Sequence, residues 1–178
     1  MFASFATKGG VRPRPGGPEL KEQELLKSGQ RLLLDTNAFI YFLEGVEPYL
    51  SVLVPLFDRV WRGELTVVVS AVTEAELLVR PMRQRDEVAV DRITDLLSED
   101  GFEVVDVDRR IARRAARLRT ENRLSLTDAM IVATAIEAEC EAAVGNDREW
   151  AKRMSEIPYM LLDGTLQEHQ LNIGRQSV

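Results

Sequence analysis

The sequence predicts an α/β fold: a central, mostly parallel sheet of about five strands, with helices covering both of its faces. Three observations predict it. Short apolar runs of strand length alternate with longer stretches of helical spacing from residue 31 onward, and strands separated by helices imply crossover connections within a parallel sheet. The first run, Leu32-Leu33-Leu34, is apolar without alternation, as suits a strand buried on both faces. A chain of 178 residues, 45% hydrophobic and 29% charged, has the size and composition of one ordinary globular domain.

Taken in order, residues 1–30 stand apart as a flexible extension. Gly9-Gly10, Pro13, Pro15, Gly16-Gly17 and Pro18 exclude a regular element. The acid-free start with Phe2, Phe5, Lys8, Arg12 and Arg14 faintly resembles a transit peptide, but a plain disordered extension accounts for it more simply. Residues 19–28 suit a short helix stopped by Gly29. A strand at 32–34 leads into a helix over 36–43 ended by Gly45, and Pro48 opens a second helix through Arg62 with Gly63 closing it. A strand at 66–70 is followed by helices over 72–79 and 86–97. Then come a strand at 102–107, helices over 109–119 and 126–140, a strand at 142–144, a short helix over 148–154 and a last strand at 160–162. The folded domain spans 31–165, and 166–178 reads as a tail.

Composition limits the chemistry. One cysteine, Cys140, and one histidine, His169, exclude an intrachain disulfide and a Cys/His zinc site. A Ser/His/Asp triad would have to use His169, which stands among Gln and Glu near the end of the chain. Catalysis therefore falls to carboxylates. The net charge of −6 and pI near 5.0 are not those of a nucleic-acid coat protein, whose affinity comes from neutralising phosphates. A metal-binding cluster of acids, however, lowers the total by itself. The lone cysteine fits a reducing compartment and the apolar runs are too short to span a bilayer, so a cytoplasmic protein with no membrane association is expected.

In parallel α/β sheets ligands collect outside the carboxyl ends of the strands. Four acids fall there or early in the following helices. Asp35 follows the first strand and could equally cap the next helix. Glu76 lies in Ser70-x-x-Thr73-x-x-Glu76-Leu77 and alone reads as a solvated helix acid. Asp128 fits a capping box with Ser125, although the helix that follows is apolar nearly all round and so should be buried. Asp147, in Gly145-Asn146-Asp147, could be a turn or cap residue. Brought together, the four would repel and raise one another's pKa unless a cation neutralised them. With no His or Cys nearby, an all-oxygen site suits Mg²⁺, with Mn²⁺ able to substitute.

These residues carry a resemblance. The chain from Arg31 to about Asp163 resembles the PIN-domain ribonucleases, most closely the toxins of VapBC-type toxin–antitoxin pairs. The motifs are Leu32-Leu33-Leu34-Asp35-Thr36-Asn37, Ser70-x-x-Thr73-x-x-Glu76-Leu77, Leu126-Thr127-Asp128-Ala129-x-Ile131-x-Ala133-x-Ala135 and Asn146-Asp147-Arg148-Glu149-Trp150. Each is short; four in order over some 130 residues are specific. The resemblance implies a three-layer α/β/α sandwich and an acidic quartet of Asp35, Glu76, Asp128 and Asp147 holding Mg²⁺, with Thr36, Asn37 and Asn146 in support. It selects Glu76 over Glu74, which becomes a surface residue. It also implies hydrolysis of RNA to a 3′-hydroxyl and a 5′-phosphate, an antitoxin partner and a homodimer. Two features depart from the family. Gly145 stands where a Thr or Ser often supports the last acid, and the 1–30 extension is outside the usual toxin pattern.

Arg109, Arg110, Arg113, Arg114 and Arg117, followed by Arg119 and Arg123, make one strongly positive stretch in an acidic chain. Arg109, Arg113 and Arg117 share a helix face with Arg110 and Arg114 beside them, an arrangement that suits RNA phosphates; the plainer alternative is a solvated helix. Tyr41, Phe42, Tyr49, Leu50, Leu53 and Phe57 read mostly as core, and the resemblance places an antitoxin segment near these early helices. Trp61, Trp150 and Cys140 read as packing residues. Two rivals remain within the fold: an inactive binding module, and a nuclease of RNA processing with no antitoxin. A phospho-acceptor receiver domain also gathers acids after parallel strands. It needs a second acid beside Asp35, where Thr36-Asn37 stand, and a lysine where Asp163-Gly164 stand.

Overall fold

A computed structural model describes residues 27–153 and 156–163. The extension up to residue 26, Met154, Gly164, His169 and the tail from 166 lie outside the described residues. The elements are β1 (Gln30–Leu34), α1 (Thr36–Glu44), α2 (Tyr49–Trp61), β2 (Leu65–Ser70), α3 (Ala71–Gln84) and α4 (Glu87–Leu97). They continue with β3 (Phe102–Val105), α5 (Arg109–Asn122), α6 (Leu126–Glu137), β4 (Ala142–Gly145), α7 (Arg148–Arg153) and β5 (Tyr159–Leu161).

The five strands form one sheet in the order β3-β2-β1-β4-β5, every pair parallel. Pleating sends alternate residues of the central strands to opposite faces. Leu32, Leu34, Val67, Val69, Ala142 and Val144 pack on one side with α1, α2 and α4. Leu33, Val68 and Ala143 pack on the other with α5, α6 and Trp150 of α7. Both faces are therefore covered, which makes the expected three-layer sandwich and explains why β1 reads as an unbroken apolar run. On the first face Phe39, Phe42, Phe57, Trp61 and Phe102 pack ring against ring, and Phe42 stacks on Phe57 with centroids 3.9 Å apart.

The strand order also locates a crevice. From β1 the chain moves outward to β2 and β3, then returns to lay β4 and β5 on the other side of β1. The connections leaving β1 and β4 diverge, so the carboxyl ends of these two strands border the topological switch point where parallel sheets bind ligands.

Of the boundaries that differ from expectation, three have clear local reasons. Helix α3 passes Val79 and runs through Pro81 to Gln84, because a proline removes only one helical hydrogen bond and Arg85 then caps the end at φ 55°. Helix α6 stops at Glu137, short of Cys140; Glu139 takes φ 56°, and the Cys140 amide folds back on Ala135 O at 2.9 Å. Strand β3 ends at Val105, where its partner β2 runs out at Ser70. Lys27 and Ser28 are not helical, so the described end of the expected 19–28 helix is coil and turn. No single helix among the described residues is long and apolar enough to cross a membrane.

Candidate active site

Asp35 is the residue at which β1 becomes α1. Its amide donates to Val144 O at 2.9 Å, which ties the end of β1 to β4. It is the N-cap of α1, and its Oδ1 accepts the Thr36 amide at 2.7 Å. Its Oδ2 accepts Asn37 Nδ2 at 2.7 Å, while Asn37 Oδ1 accepts the Asn146 amide at 3.0 Å. Asn37 thus clips the loop after β4 to the acid after β1. The cap reading and the site reading describe the same carboxylate.

The other three acids come from neighbouring elements. Ser70 caps α3 through the Val72 amide at 3.3 Å and hydrogen-bonds Thr134 of α6 at 3.0 Å, so it fixes where α3 starts and how α6 lies on the sheet. Thr73 and Leu77 are buried on the inner side of α3, and Glu76 is left exposed, with Oε2 accepting Thr36 Oγ1 at 2.5 Å. Glu76 therefore faces the Asp35 loop. Glu74 is half-buried, not the surface residue expected; it sits in the first turn of α3, where an acid favours the helix dipole. Ser125 accepts the Asp128 amide at 3.0 Å, but the reciprocal bond of a capping box is not made. The Asp128 carboxylate makes no hydrogen bond or ion pair among the described residues and stays available to the site. Asp147 caps α7, its Oδ1 accepting the Glu149 and Trp150 amides at 2.7 and 3.1 Å.

These acids share one electrostatic environment. Asp35 is only 6% exposed, and its carboxyl is pushed up to about 7. Burial is the largest cause; the Thr36 amide opposes it, and the negative charges of Asp147, Asp128 and Glu76 all add to it. Asp35 thus feels the negative charge of the other three expected acids. Among the described residues no group of three Asp, Glu, His or Cys side chains is close enough to hold a metal ion by itself. The donors of these four acids are all oxygen, the kind that a hard divalent ion such as Mg²⁺ takes.

Two contributors carry no motif. Asp163, just after β5, accepts Tyr49 Oη at 2.8 Å, Asn146 Nδ2 at 3.2 Å and Arg148 at 2.9 Å, and these donors hold it below the usual carboxylate range. Through Asn146 this network reaches Asn37 and Asp35. The position of Asp163 after a strand is the signal that could have found it. Tyr159 on β5 accepts the Asp147 amide at 3.0 Å, and burial together with Asp35 pushes its hydroxyl far above the ordinary range, so it stays protonated.

The arginines lie along α5. Asp108 caps that helix through the Arg110 and Ile111 amides, both at 2.8 Å. A groove of about 510 Å³ is lined by Asp108, Glu137, Arg109, Arg110, Arg113, Arg114 and Arg117. Glu137, whose side chain is 11% exposed, pairs with Arg110 at 2.9 Å and Arg114 at 2.5 Å. Arg109, Arg113 and Arg117 are exposed and make no ion pair among the described residues. Glu137 ends α6 and meets the start of α5, so the two helices are antiparallel and the groove lies toward the end of α6 remote from Asp128.

Leu53 and Phe57 are buried as expected. Tyr41, Phe42, Tyr49 and Leu50 are only half-buried, and Tyr41 stacks on Tyr49 at 4.2 Å. Trp150 is buried as expected. Cys140 is half-buried, and burial pushes its thiol up to about 12, which leaves it inert as a thiolate nucleophile.

No curated protein is significantly similar in sequence. Solved structures share the fold. VapBC2 from Rickettsia felis, bound to a DNA fragment from its promoter, aligns with a TM-score of 0.59 at 21% identity, over 74% of this chain and 98% of that one. VapBC-1 from nontypeable Haemophilus influenzae aligns with a TM-score of 0.59 at 16% identity, over 75% and 99%. VapC20 from Mycobacterium tuberculosis, a toxin that cleaves the sarcin-ricin loop, aligns with a TM-score of 0.54 at 14% identity, over 71% and 98%. In sequence, the PIN domain family model matches residues 32–156, which include all four acids and the motifs around them. With that match over most of its length, the chain belongs to the PIN domain family.

Proposed function

We propose that this protein is a Mg²⁺-dependent endoribonuclease, the toxin of a toxin–antitoxin pair, with Asp35, Glu76, Asp128 and Asp147 as its catalytic acids. One observation carries the reading: a buried aspartate at the switch point feels the negative charge of three further acids and, among the described residues, makes no ion pair. Such a cluster costs stability without an external cation and gains a function with one. When bound, Mg²⁺ would activate water for in-line attack on a phosphodiester and offset charge on the phosphate oxygens, leaving a 3′-hydroxyl and a 5′-phosphate. Asp147 Oδ1 is occupied by the α7 cap, which leaves Oδ2 for the ion. The Asp128 carboxylate, unpaired among the described residues, would be a second ligand, Asp35 a third, and Glu76, oriented by Thr36, a ligand or a holder of water. Thr36, Asn37 and Asn146 keep these groups in place.

Arg109, Arg113 and Arg117 are the phosphate contacts of the RNA, with Arg110 and Arg114 beside them. The half-buried aromatic residues Tyr41, Phe42 and Tyr49, with exposed Ile40, make a surface on α1 and α2 suited to an antitoxin segment. The solved structures that share the fold include VapBC2 and VapBC-1, which supports an antitoxin partner; a homodimeric toxin in the cytoplasm is part of the same proposal. The test is cleavage of total RNA in Mg²⁺ or Mn²⁺ by the wild type and by Asp35→Asn. Metal-dependent cleavage in the first and none in a folded second supports the reading; equal cleavage by both removes Asp35 from the chemistry.

A further inference from the structure

Gly145 ends β4 two residues before Asp147, and the space beside it is already taken. A Cβ at this position would stand 2.4 Å from the Tyr159 hydroxyl oxygen, 2.7 Å from Asp35 Cβ and 3.0 Å from Asp35 Oδ2. The first two approaches are closer than real side chains come and the third is tight; the Tyr159 hydroxyl ends a side chain, but Asp35 Cβ sits against its backbone, so Tyr159 and Asp35 together crowd position 145 and favour glycine there. The strand register explains how the tyrosine reaches it. Tyr159 of β5 pairs with Ala143 and Gly145 pairs with Leu161, so Tyr159 lies on the same face as Ala143 and Gly145. Its ring packs on Trp150 at 5.8 Å and carries the hydroxyl two residues along β4, to Gly145. There the hydroxyl accepts the Asp147 amide at 3.0 Å.

A serine or threonine at position 145 could make that same bond locally, since such side chains accept the amide two residues onward in their own turn. Here the oxygen arrives from the neighbouring strand. Asp147 is consequently held at two points, its amide by the Tyr159 hydroxyl on β5 and its Oδ1 by the backbone amides that begin α7, so its place is set by two different elements. Tyr159 touches no reacting atom on this account; it acts through Asp147.

We propose that Tyr159 is a positioning residue of the acidic site, its hydroxyl replacing from β5 the support that a hydroxyl side chain at position 145 would give Asp147. The inference rests on the metal-binding reading above, and its test separates the two. Tyr159→Phe keeps the ring against Trp150 and removes only the hydroxyl. Amide exchange at Asp147, read by NMR in metal-free protein, should quicken at least about 10-fold in Tyr159→Phe while amides of β1 and β2 hold. Mn²⁺ affinity should fall about 10- to 100-fold, the usual effect of losing a group that orients a ligand. Unchanged Asp147 exchange in Tyr159→Phe, or unchanged Mn²⁺ affinity, overturns the assignment. Wild-type protein that binds no Mn²⁺ overturns the metal reading instead, and the exchange data then decide the place of Tyr159 alone.

Discussion

Helix α6 carries an acid at each end, and the two are treated in opposite ways. Glu137, at its last residue, is half-enclosed between the Arg110 and Arg114 guanidiniums. Asp128, in its first turn, makes no ion pair or hydrogen bond through its carboxylate among the described residues and instead adds its charge to that on Asp35. A structural acid is matched by the chain that folds around it. An acid left unmatched beside three others, at the crevice of a parallel sheet, is one the fold has not used for its own stability. The contrast between the ends of one helix separates architecture from function more clearly than either acid does alone.

The strongest way to break this comparison is to neutralise each end. Asp128→Asn should reduce metal-dependent RNA cleavage by at least about 100-fold while leaving the melting temperature unchanged or higher. Cleavage retained within a few-fold would make Asp128 a mere first-turn acid. The second effect is on pH. Because Asp35 titrates at about 7 in the fold and near 3.8 when free, folding favours its protonated form. Metal-free protein should therefore be fully stable with respect to this group below about pH 4. It should lose stability as pH rises toward about 7, by roughly 4 kcal/mol at 1.36 kcal/mol per pH unit. Denaturant melts between pH 5 and 8 should show that slope, Asp35→Asn should flatten it, and Mn²⁺ should restore stability at the alkaline end. A flat profile for the wild type would mean that Asp35 is neither so buried nor so crowded.

Smaller effects come from the arginine end. Replacing Arg113 and Arg117 with Glu should weaken single-stranded RNA binding and lower the slope of log K against log salt by about 1.4, the share of two phosphate contacts. Unchanged affinity and slope would return the stretch to a solvated helix face. Glu137→Gln should matter least. Arg110 and Arg114 are 72% and 43% exposed, so solvent screens the pairs and their loss should cost under about 1 kcal/mol. The freed guanidiniums should raise RNA affinity a few-fold. A large loss of stability would show that Glu137 organises the α5–α6 packing itself.

The sequence made the layered sheet legible because every central strand is buried on both faces, so that Leu32-Leu33-Leu34 needs no alternation. It also marked the acids, since Asp35, Glu76, Asp128 and Asp147 follow strands or start helices where local spacing is enough. What it hid depends on distant pairing. Tyr159 becomes a partner of Asp147 only through the β4–β5 register, and Gly145 reads as a missing hydroxyl until the Tyr159 oxygen is seen in its place. The Asn37–Asn146 bond spans 109 positions, and the Tyr49–Asp163 bond spans 114. The end of α6 was hidden for a different reason: Glu139 takes the left-handed conformation usually signalled by glycine.

The central claim is that four acids around Asp35 form a site for a divalent cation, and calorimetric titration of the purified protein with Mn²⁺ tests it most directly, because it requires no guess about the RNA. The account predicts saturable binding by the wild type that disappears in folded Asp128→Asn. No binding by the wild type, or equal binding by both proteins, would contradict it.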